Sequence, residues 1–227
     1  MSTFKEIISK LQENARPDQL DGMKRFGMSI DNRLGLSMPF LRKMAKEIGK
    51  DHELALKLWE TGIAEARILA ALVDDPKMLT ERQMEEWVKD IDSWDVCDQL
   101  CMNLFEKSPL AWKKIDDWAK RPEEFVKRTA FSLLACLAWH DKKTEDNKFT
   151  ELFPLIVQAS TDERNFVKKS VNWALRNIGK RNMQLNQAAI ETSLTLKRLD
   201  SKSARWIGSN ALRELESEAV KKRLKKS

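Results

Sequence analysis

Several features are scarce or missing in this chain of 227 residues, and each absence excludes a class of protein. Only 7 glycines and 6 prolines are present, which disfavours a turn-rich all-β chain and a glycine-rich phosphate-binding loop. No apolar run approaches the roughly 18 residues that a transmembrane helix needs, and no signal-peptide pattern opens the chain. We therefore expect a cytoplasmic protein that does not associate with membranes.

Residues that form disulfides or bind metals are also few. The chain has three cysteines, Cys97, Cys101 and Cys136, and two histidines, His52 and His140. This set cannot build a disulfide framework and supplies a poor group of metal ligands. We therefore expect reduced thiols, no metal site and no cofactor.

Charge is nearly balanced along the body of the chain. The 41 basic and 35 acidic residues give a net charge of +6, and most of that excess lies near the C-terminus. Net charge alone is therefore weak evidence for nucleic-acid binding. We interpret residues 1–220 as a single domain and residues 221–227 as a solvated basic C-terminal tail, which could add non-specific attraction to phosphates. The basic residues of this tail are Lys221, Lys222, Arg223, Lys225 and Lys226.

Helical periodicity runs through the sequence. Apolar residues recur at spacings of three and four without sustained alternation, which predicts an all-α chain, and Ser93 has the properties of a helix N-cap. Similar segments begin at Val96, Val126, Val167 and Ala204, roughly 30 to 40 residues apart. Such degenerate repetition indicates a curved α-solenoid of HEAT-like helical repeats, in which the same helix of every repeat lines a concave surface.

An aromatic and basic face accompanies the apolar stripe of residues 166–178. At about 100° per residue, Trp173 shares a face with Lys169, Arg176 and Lys180. This composition is typical of a surface that binds nucleic acid. Periodicity also allows a structural alternative, in which Trp173 packs against a neighbouring repeat and the cations are merely solvated.

A carboxylate is predicted on the same concave basic and aromatic face. Trp94 and Asp98 are four residues apart on a helix and therefore adjacent. Asp98 occupies the repeat position that Arg128 and Lys169 occupy in later repeats. An acid among cations suggests a functional group, and a salt bridge between Asp98 and Arg128 is the structural alternative.

Four short segments, in this order and spacing, resemble the AlkD-type DNA alkylation-repair family, HEAT-like-repeat DNA glycosylases that excise alkylated purines. The likeness extends over most of the chain. The segments are Met23-Lys-Arg-Phe-Gly, Ser93-Trp-Asp-Val-Cys-Asp, Lys127-Arg-Thr-Ala-Phe and Asn165-Phe-Val-Lys-Lys-Ser-Val-Asn-Trp-Ala-Leu-Arg.

The resemblance implies a set of site residues. Asp98 is the implied catalytic carboxylate, and Phe26 stands where the family's active glycosylase has a tyrosine, so that hydroxyl is missing. The implied aromatic contacts to the lesion and the DNA are Trp94, Trp173 and Phe26. Arg128 corresponds to the family's essential arginine. The phosphate-binding residues that we expect are Arg128, Lys169 and Arg176.

The function that this resemblance implies is hydrolysis of the N-glycosidic bond of positively charged purines, of the 3-methyladenine and 7-methylguanine type, in double-stranded DNA. We expect a monomer without lyase activity, because no lysine has an evident environment that would lower its pKa. One alternative, which Phe26 favours, is a non-catalytic HEAT-repeat binder of damaged or branched DNA. Another is a scaffold that binds proteins.

Overall fold

The computed structural model describes residues 3–225, in which helices and turns occur but no strand. This confirms the predicted all-α class. The internal contacts divide the chain into two compact units, of which the first ends at Ala111 and the second begins at Trp112. Within the described range, no helix combines the length and apolar character required to cross a membrane.

The first unit contains seven α-helices and two short 3-10 turns, at Pro17–Gln19 and Phe105–Lys107. The helices are α1 (Phe4–Glu13), α2 (Leu20–Arg25), α3 (Met38–Ile48), α4 (His52–Glu60), α5 (Ala64–Val73), α6 (Glu81–Lys89) and α7 (Trp94–Asn103). Helix α5 packs against α3, α4 and α7. Its alanines Ala66, Ala70 and Ala71 are fully buried, and their small side chains allow these neighbours to approach closely.

A buried glutamate fixes the loop before α3. Glu65 of α5 accepts hydrogen bonds of 2.7 to 3.2 Å from the backbone N–H groups of residues 34–36. Gly35 has a φ of +78°, and a Cβ at this position would lie 2.2 Å from the carbonyl oxygen of Arg16, so only glycine fits. The loop that begins at Arg33 is therefore held in one conformation.

The second unit consists of eight helices, the first of which begins at the boundary residue. They are α8 (Ala111–Ala119), α9 (Glu124–His140), α10 (Asp146–Thr150), α11 (Phe153–Ala159), α12 (Asn165–Gly179), α13 (Met183–Arg198), α14 (Lys202–Leu215) and α15 (Glu218–Leu224). Helix α12 packs against both α9 and α14. Phe125 and Phe166, which share a repeat position, have ring centroids 5.2 Å apart, and Asn172 donates to Asn210 at 2.8 Å. Corresponding helices of successive repeats thus contact each other.

The apolar stripe predicted for residues 166–178 is confirmed on α12. All five of its residues are fully buried, namely Val167, Val171, Ala174, Leu175 and Ile178. Helix α9 differs, because it is buried on nearly every side and encloses Arg128, Thr129 and Ser132 as well as its apolar residues. When a helix is packed on nearly every side, its apolar stripe identifies only some of the residues that are buried.

The basic segment at the C-terminus is partly helical. Helix α15 buries Val220 and Leu224, while Lys221, Lys222 and Arg223 are exposed. Lys226 and Ser227, which belong to the predicted tail, lie outside the described residues. The boundary of the tail at residue 221 stays a prediction.

Candidate functional site

Helix α7 carries Trp94 and Asp98 on successive turns. Both side chains are partly exposed, whereas Val96 and Leu100 on the same helix are buried. Residues four apart share one face of a helix, so the indole and the carboxylate flank the same patch of surface. This is the arrangement that their spacing predicts.

Phe26 lies next to Trp94. The indole Nε1 of Trp94 donates a hydrogen bond of 3.1 Å to the carbonyl oxygen of Phe26. The phenyl ring of Phe26 follows α2 and is 76% exposed. Three predicted site residues, Phe26, Trp94 and Asp98, therefore lie near one another in the first unit. The exposed ring of Phe26 can make apolar contacts but has no hydroxyl.

A buried ion pair fixes the first turn of α7. Both terminal nitrogens of Arg33 bind the carboxylate of Asp95, at 2.7 and 2.9 Å, and the two side chains are only 2% and 15% exposed. The hydroxyl of Ser93 donates to Asp95 at 2.5 Å and accepts from Arg33 at 3.2 Å. This network holds the turn from which Trp94 projects.

Sequence reasoning missed this network and assigned Ser93 a simpler role. Ser93 does occupy the N-cap position of α7, but its side chain makes no capping hydrogen bond to the helix. Its hydroxyl serves the Arg33–Asp95 pair instead. No local pattern reveals this, because Arg33 is 62 residues from Asp95 in the chain.

Arg128 is buried in the second unit. It is only 4% exposed, and its Nη1 donates to the carbonyl oxygen of Phe166 at 2.9 Å. Phe166 lies in the first turn of α12, so Arg128 holds the start of the helix that bears Lys169 and Trp173. Its role as a phosphate ligand stays a prediction.

The other two predicted phosphate ligands differ in their surroundings. Lys169 is exposed to solvent. Arg176 instead binds Glu214, which also accepts a hydrogen bond of 2.8 Å from Lys180. Burial acts to raise the pKa of Glu214, but the bonds from Lys180 and Arg176 outweigh it and leave that pKa below its ordinary value. Much of the charge of Arg176 is therefore already balanced within the protein.

Trp173 borders a cavity of about 280 Å³ in the second unit. Its indole is partly exposed and is not enclosed within the repeat packing. The cavity also has a second tryptophan and several cations in its wall. Trp173 therefore lies beside basic residues in this cavity. Of the cations predicted to share its helix face, Lys180 lines the cavity and Arg176 does not.

Residues 3–225 contain no group of three or more histidine, cysteine or acidic side chains arranged to hold a metal ion. Cys97, Cys101 and Cys136 are all buried.

Two solved structures have the same fold as this chain. A structure from a family related to the HEAT-like repeat DNA glycosylases, with affinity for branched DNA structures, superimposes with a TM-score of 0.80 at 21% identity, covering 98% of this chain and 96% of that one. AlkD2 from Streptococcus mutans superimposes with a TM-score of 0.59 at 18% identity, covering 95% of this chain and 100% of its own. The fold is therefore the HEAT-like repeat fold that the sequence predicts.

Sequence comparisons agree with the structural ones. Uncharacterized proteins of Listeria innocua and Listeria monocytogenes are 25% and 24% identical to the chain, and each match covers 85% of this chain and 86% of the relative. A sequence model described as DNA alkylation repair enzyme matches residues 7–215. The chain therefore belongs to the DNA alkylation repair enzyme family.

Proposed function

We propose that this protein is a monofunctional DNA glycosylase that removes positively charged N-alkylated purines from double-stranded DNA. The observation that carries the proposal is the pairing of Trp94 with Asp98 on one partly exposed face of α7. Membership of the DNA alkylation repair enzyme family supports it.

The residue types suit the departure of a cationic base. Alkylation at N3 of adenine or N7 of guanine places a positive charge on the base, so the base leaves as a neutral molecule. Protonation by a general acid is then unnecessary. A site without histidine is consistent with this reaction.

Asp98 would stabilise the sugar as the bond breaks. Cleavage leaves positive charge on the sugar ring, and a fixed carboxylate close to that ring lowers the energy of the transition state. The same carboxylate would orient the water that attacks the anomeric carbon. The ion pair between Arg33 and Asp95 fixes the turn from which Trp94 and then Asp98 follow.

Trp94 and Phe26 would recognise the charge of the damaged nucleotide. A cation over an aromatic face gains about 0.5–2 kcal/mol, depending on how far water is excluded. A neutral base gains no such energy. Selectivity for alkylated purines would therefore come from charge as well as from shape.

The second unit would bind the DNA backbone. Lys169 is an exposed cation on α12, and Trp173 lies four residues further along the same helix. Arg128 would act chiefly by holding the first turn of α12 through the carbonyl of Phe166. Arg176 would reach a phosphate only by leaving Glu214, so its contribution should be smaller.

A second candidate function is non-catalytic binding of damaged or branched DNA. Phe26 favours it, because the missing hydroxyl removes one polar group from the candidate site. The similar solved structure from a family with affinity for branched DNA also supports it.

The test is release of free base from a duplex that carries a single 7-methylguanine. We expect the wild-type protein to release 7-methylguanine and to leave an abasic strand that breaks only on later treatment with alkali. An otherwise identical duplex with unmodified guanine is the control. Absence of release, together with salt-sensitive binding of the same duplex, would favour the non-catalytic function.

A further inference from the structure

The cavity of about 280 Å³ in the second unit has a composition that the proposed reaction does not require. It lies where α9 and α12 end. Its wall combines two indoles with three cations and one amide. The residues that matter are Trp139, Lys142, Trp173, Asn177, Lys180 and Arg223.

The charges in the wall favour an anion. Within residues 3–225, neither Lys142 nor Arg223 lies within ion-pair distance of a carboxylate, whereas Lys180 binds Glu214. Burial and the nearby charges of Arg181 and Arg223 lower the pKa of Lys142, although Asp141 opposes them. An anion bound here would relieve the repulsion among these cations.

The carbonyl groups at the end of α9 do not oppose an anion strongly. A helix C-terminus carries partial negative charge on its last carbonyl oxygens. Arg181 donates to the carbonyl oxygens of Ala138 and Asp141, which satisfies two of these groups. The positive character of the wall therefore prevails.

The indoles supply a stacking surface beside these cations. Trp139 is 49% exposed, although it follows the buried Ala138 on α9. The ring of His140 stacks against that of Trp139, with centroids 4.8 Å apart and an interplanar angle of 23°. Trp173 borders the same space from α12.

We propose that this cavity binds one unpaired nucleotide of single-stranded DNA, with its base on Trp139 and Trp173 and its phosphate on Lys142 and Arg223. Aromatic side chains beside cations are the usual means of holding single strands. A base within a duplex is covered on both faces by its neighbours, so only an unpaired base can offer its face. The volume of about 280 Å³ lies just below the usual range for small-ligand sites, about 300–1,000 Å³, which suits one nucleotide rather than a duplex.

This inference shares with the proposed function the premise that the protein binds DNA and one residue, Trp173. It does not depend on Asp98 or on excision. Arg223, in the basic segment at the C-terminus, would then contribute specifically to the recognition of DNA that has a flap or a fork.

The test compares two labelled DNAs by fluorescence anisotropy. One is a blunt duplex, and the other is the same duplex with a short single-stranded flap. We expect the wild-type protein to bind the flap DNA about 10-fold more tightly, and we expect Trp139→Ala and Arg223→Gln each to remove most of that preference. Trp139→Ala should leave affinity for the blunt duplex unchanged, and Arg223→Gln should lower it no more than Lys222→Gln does. Trp139→Phe should retain most of it, because a phenyl ring also stacks.

Matched variants remove the same charge outside the cavity. Lys222→Gln alters the neighbour of Arg223 on α15, and Lys143→Gln alters the neighbour of Lys142. Both should keep the preference for the flap, whereas Lys142→Gln should lose it. Helical circular dichroism and the unfolding midpoint of each variant verify that the fold is intact.

Competition identifies what the cavity recognises. Thymidine 5′-monophosphate should compete with the flap DNA at lower concentration than inorganic phosphate does. Equal competition would overturn the stacking role of the indoles. Equal loss of flap and duplex binding in Trp139→Ala and Arg223→Gln, or no loss in either, would overturn the site itself.

Base release separates this result from the proposed function. Trp139→Ala and Arg223→Gln should release 7-methylguanine from the blunt duplex at the wild-type rate. If the wild-type protein releases no base but prefers the flap DNA, the proposed reaction fails and the nucleotide site stands.

Discussion

Trp94 of the first unit and Lys169 of the second are held in different ways. In the first unit, the turn that bears Trp94 is fixed by the buried pair of Arg33 and Asp95 and by the hydroxyl of Ser93. In the second unit, Lys169 is an exposed cation on the surface of α12. The first arrangement places a group precisely, whereas the second leaves a long side chain able to move.

The difference matches what the two tasks require. A carboxylate that stabilises a developing charge must be held within a fraction of an ångström of its position. A cation that binds a phosphate gains its energy from charge alone and tolerates movement. We therefore expect substitutions around Trp94 to change rate or stability and substitution of Lys169 to change affinity.

The largest effect should follow from breaking the buried ion pair. Arg33→Met leaves Asp95 buried without its partner, and removing one member of such a pair costs about 3–5 kcal/mol of folding free energy. Denaturant unfolding measures this loss. The control is Arg82→Met, which removes an exposed i,i+4 pair with Glu86 and should leave the midpoint unchanged. Equal midpoints for wild type and Arg33→Met would show that the first unit is not held by this pair.

The next effect tests recognition of charge in the first unit. Trp94→Leu removes an aromatic face that is worth about 0.5–2 kcal/mol to a cation, so excision of 7-methylguanine should fall by about 10-fold. Excision of a neutral damaged base of similar shape should fall less. A duplex with each base, assayed under single-turnover conditions, gives both rates. Equal losses would assign Trp94 to packing rather than to recognition of charge.

A smaller effect compares two cations of the second unit. Lys169→Gln should weaken binding to duplex DNA and lower the slope of log affinity against log salt by about 1, as expected for one phosphate contact. Arg176→Gln should change both quantities less, because Glu214 already balances its charge. Titrations at several salt concentrations provide the comparison. A larger effect from Arg176→Gln would mean that Arg176 leaves Glu214 when DNA binds.

The smallest effect that we expect is the pH dependence of the stability that Glu214 contributes. The pKa of Glu214 is lowered in the fold, because the bonds from Lys180 and Arg176 outweigh burial. The unfolded chain then takes up the proton first, so the contribution to stability is complete above the ordinary glutamate pKa of about 4.3 and is lost as pH falls through the lower folded-state value. Glu214→Gln should therefore lower the thermal midpoint at neutral pH, and this difference should vanish in acid. A difference that persists in acid would show that the pair's charge does not cause it.

Local patterns predict much of the fold. The spacing of Val167, Val171 and Leu175 gives both the helix and its buried face, because a helix of 3.6 residues per turn brings such residues to one side. The spacing of Trp94 and Asp98 likewise places them on one face of α7. These properties depend only on residues near each other in the chain.

Long-range partners explain what the sequence does not predict. Arg128 lies off the apolar stripe of α9 and is nevertheless buried, because that helix has neighbours on nearly every side. Arg176 and Ser93 have the residue types of a phosphate ligand and an N-cap, yet Glu214 and Arg33 engage them from 38 and 60 residues away. Periodicity carries no information about such partners.

The most direct test of the account is the rate of base release by Asp98→Asn, measured under single-turnover conditions beside its affinity for the same 7-methylguanine duplex. Asp92→Asn, which removes an exposed carboxylate just before α7, is the matched control. Loss of one preorganised charge predicts a rate that is lower by at least about 100-fold for Asp98→Asn, with unchanged affinity, and a wild-type rate for Asp92→Asn. An unchanged rate for Asp98→Asn would contradict the assignment of Asp98 to catalysis.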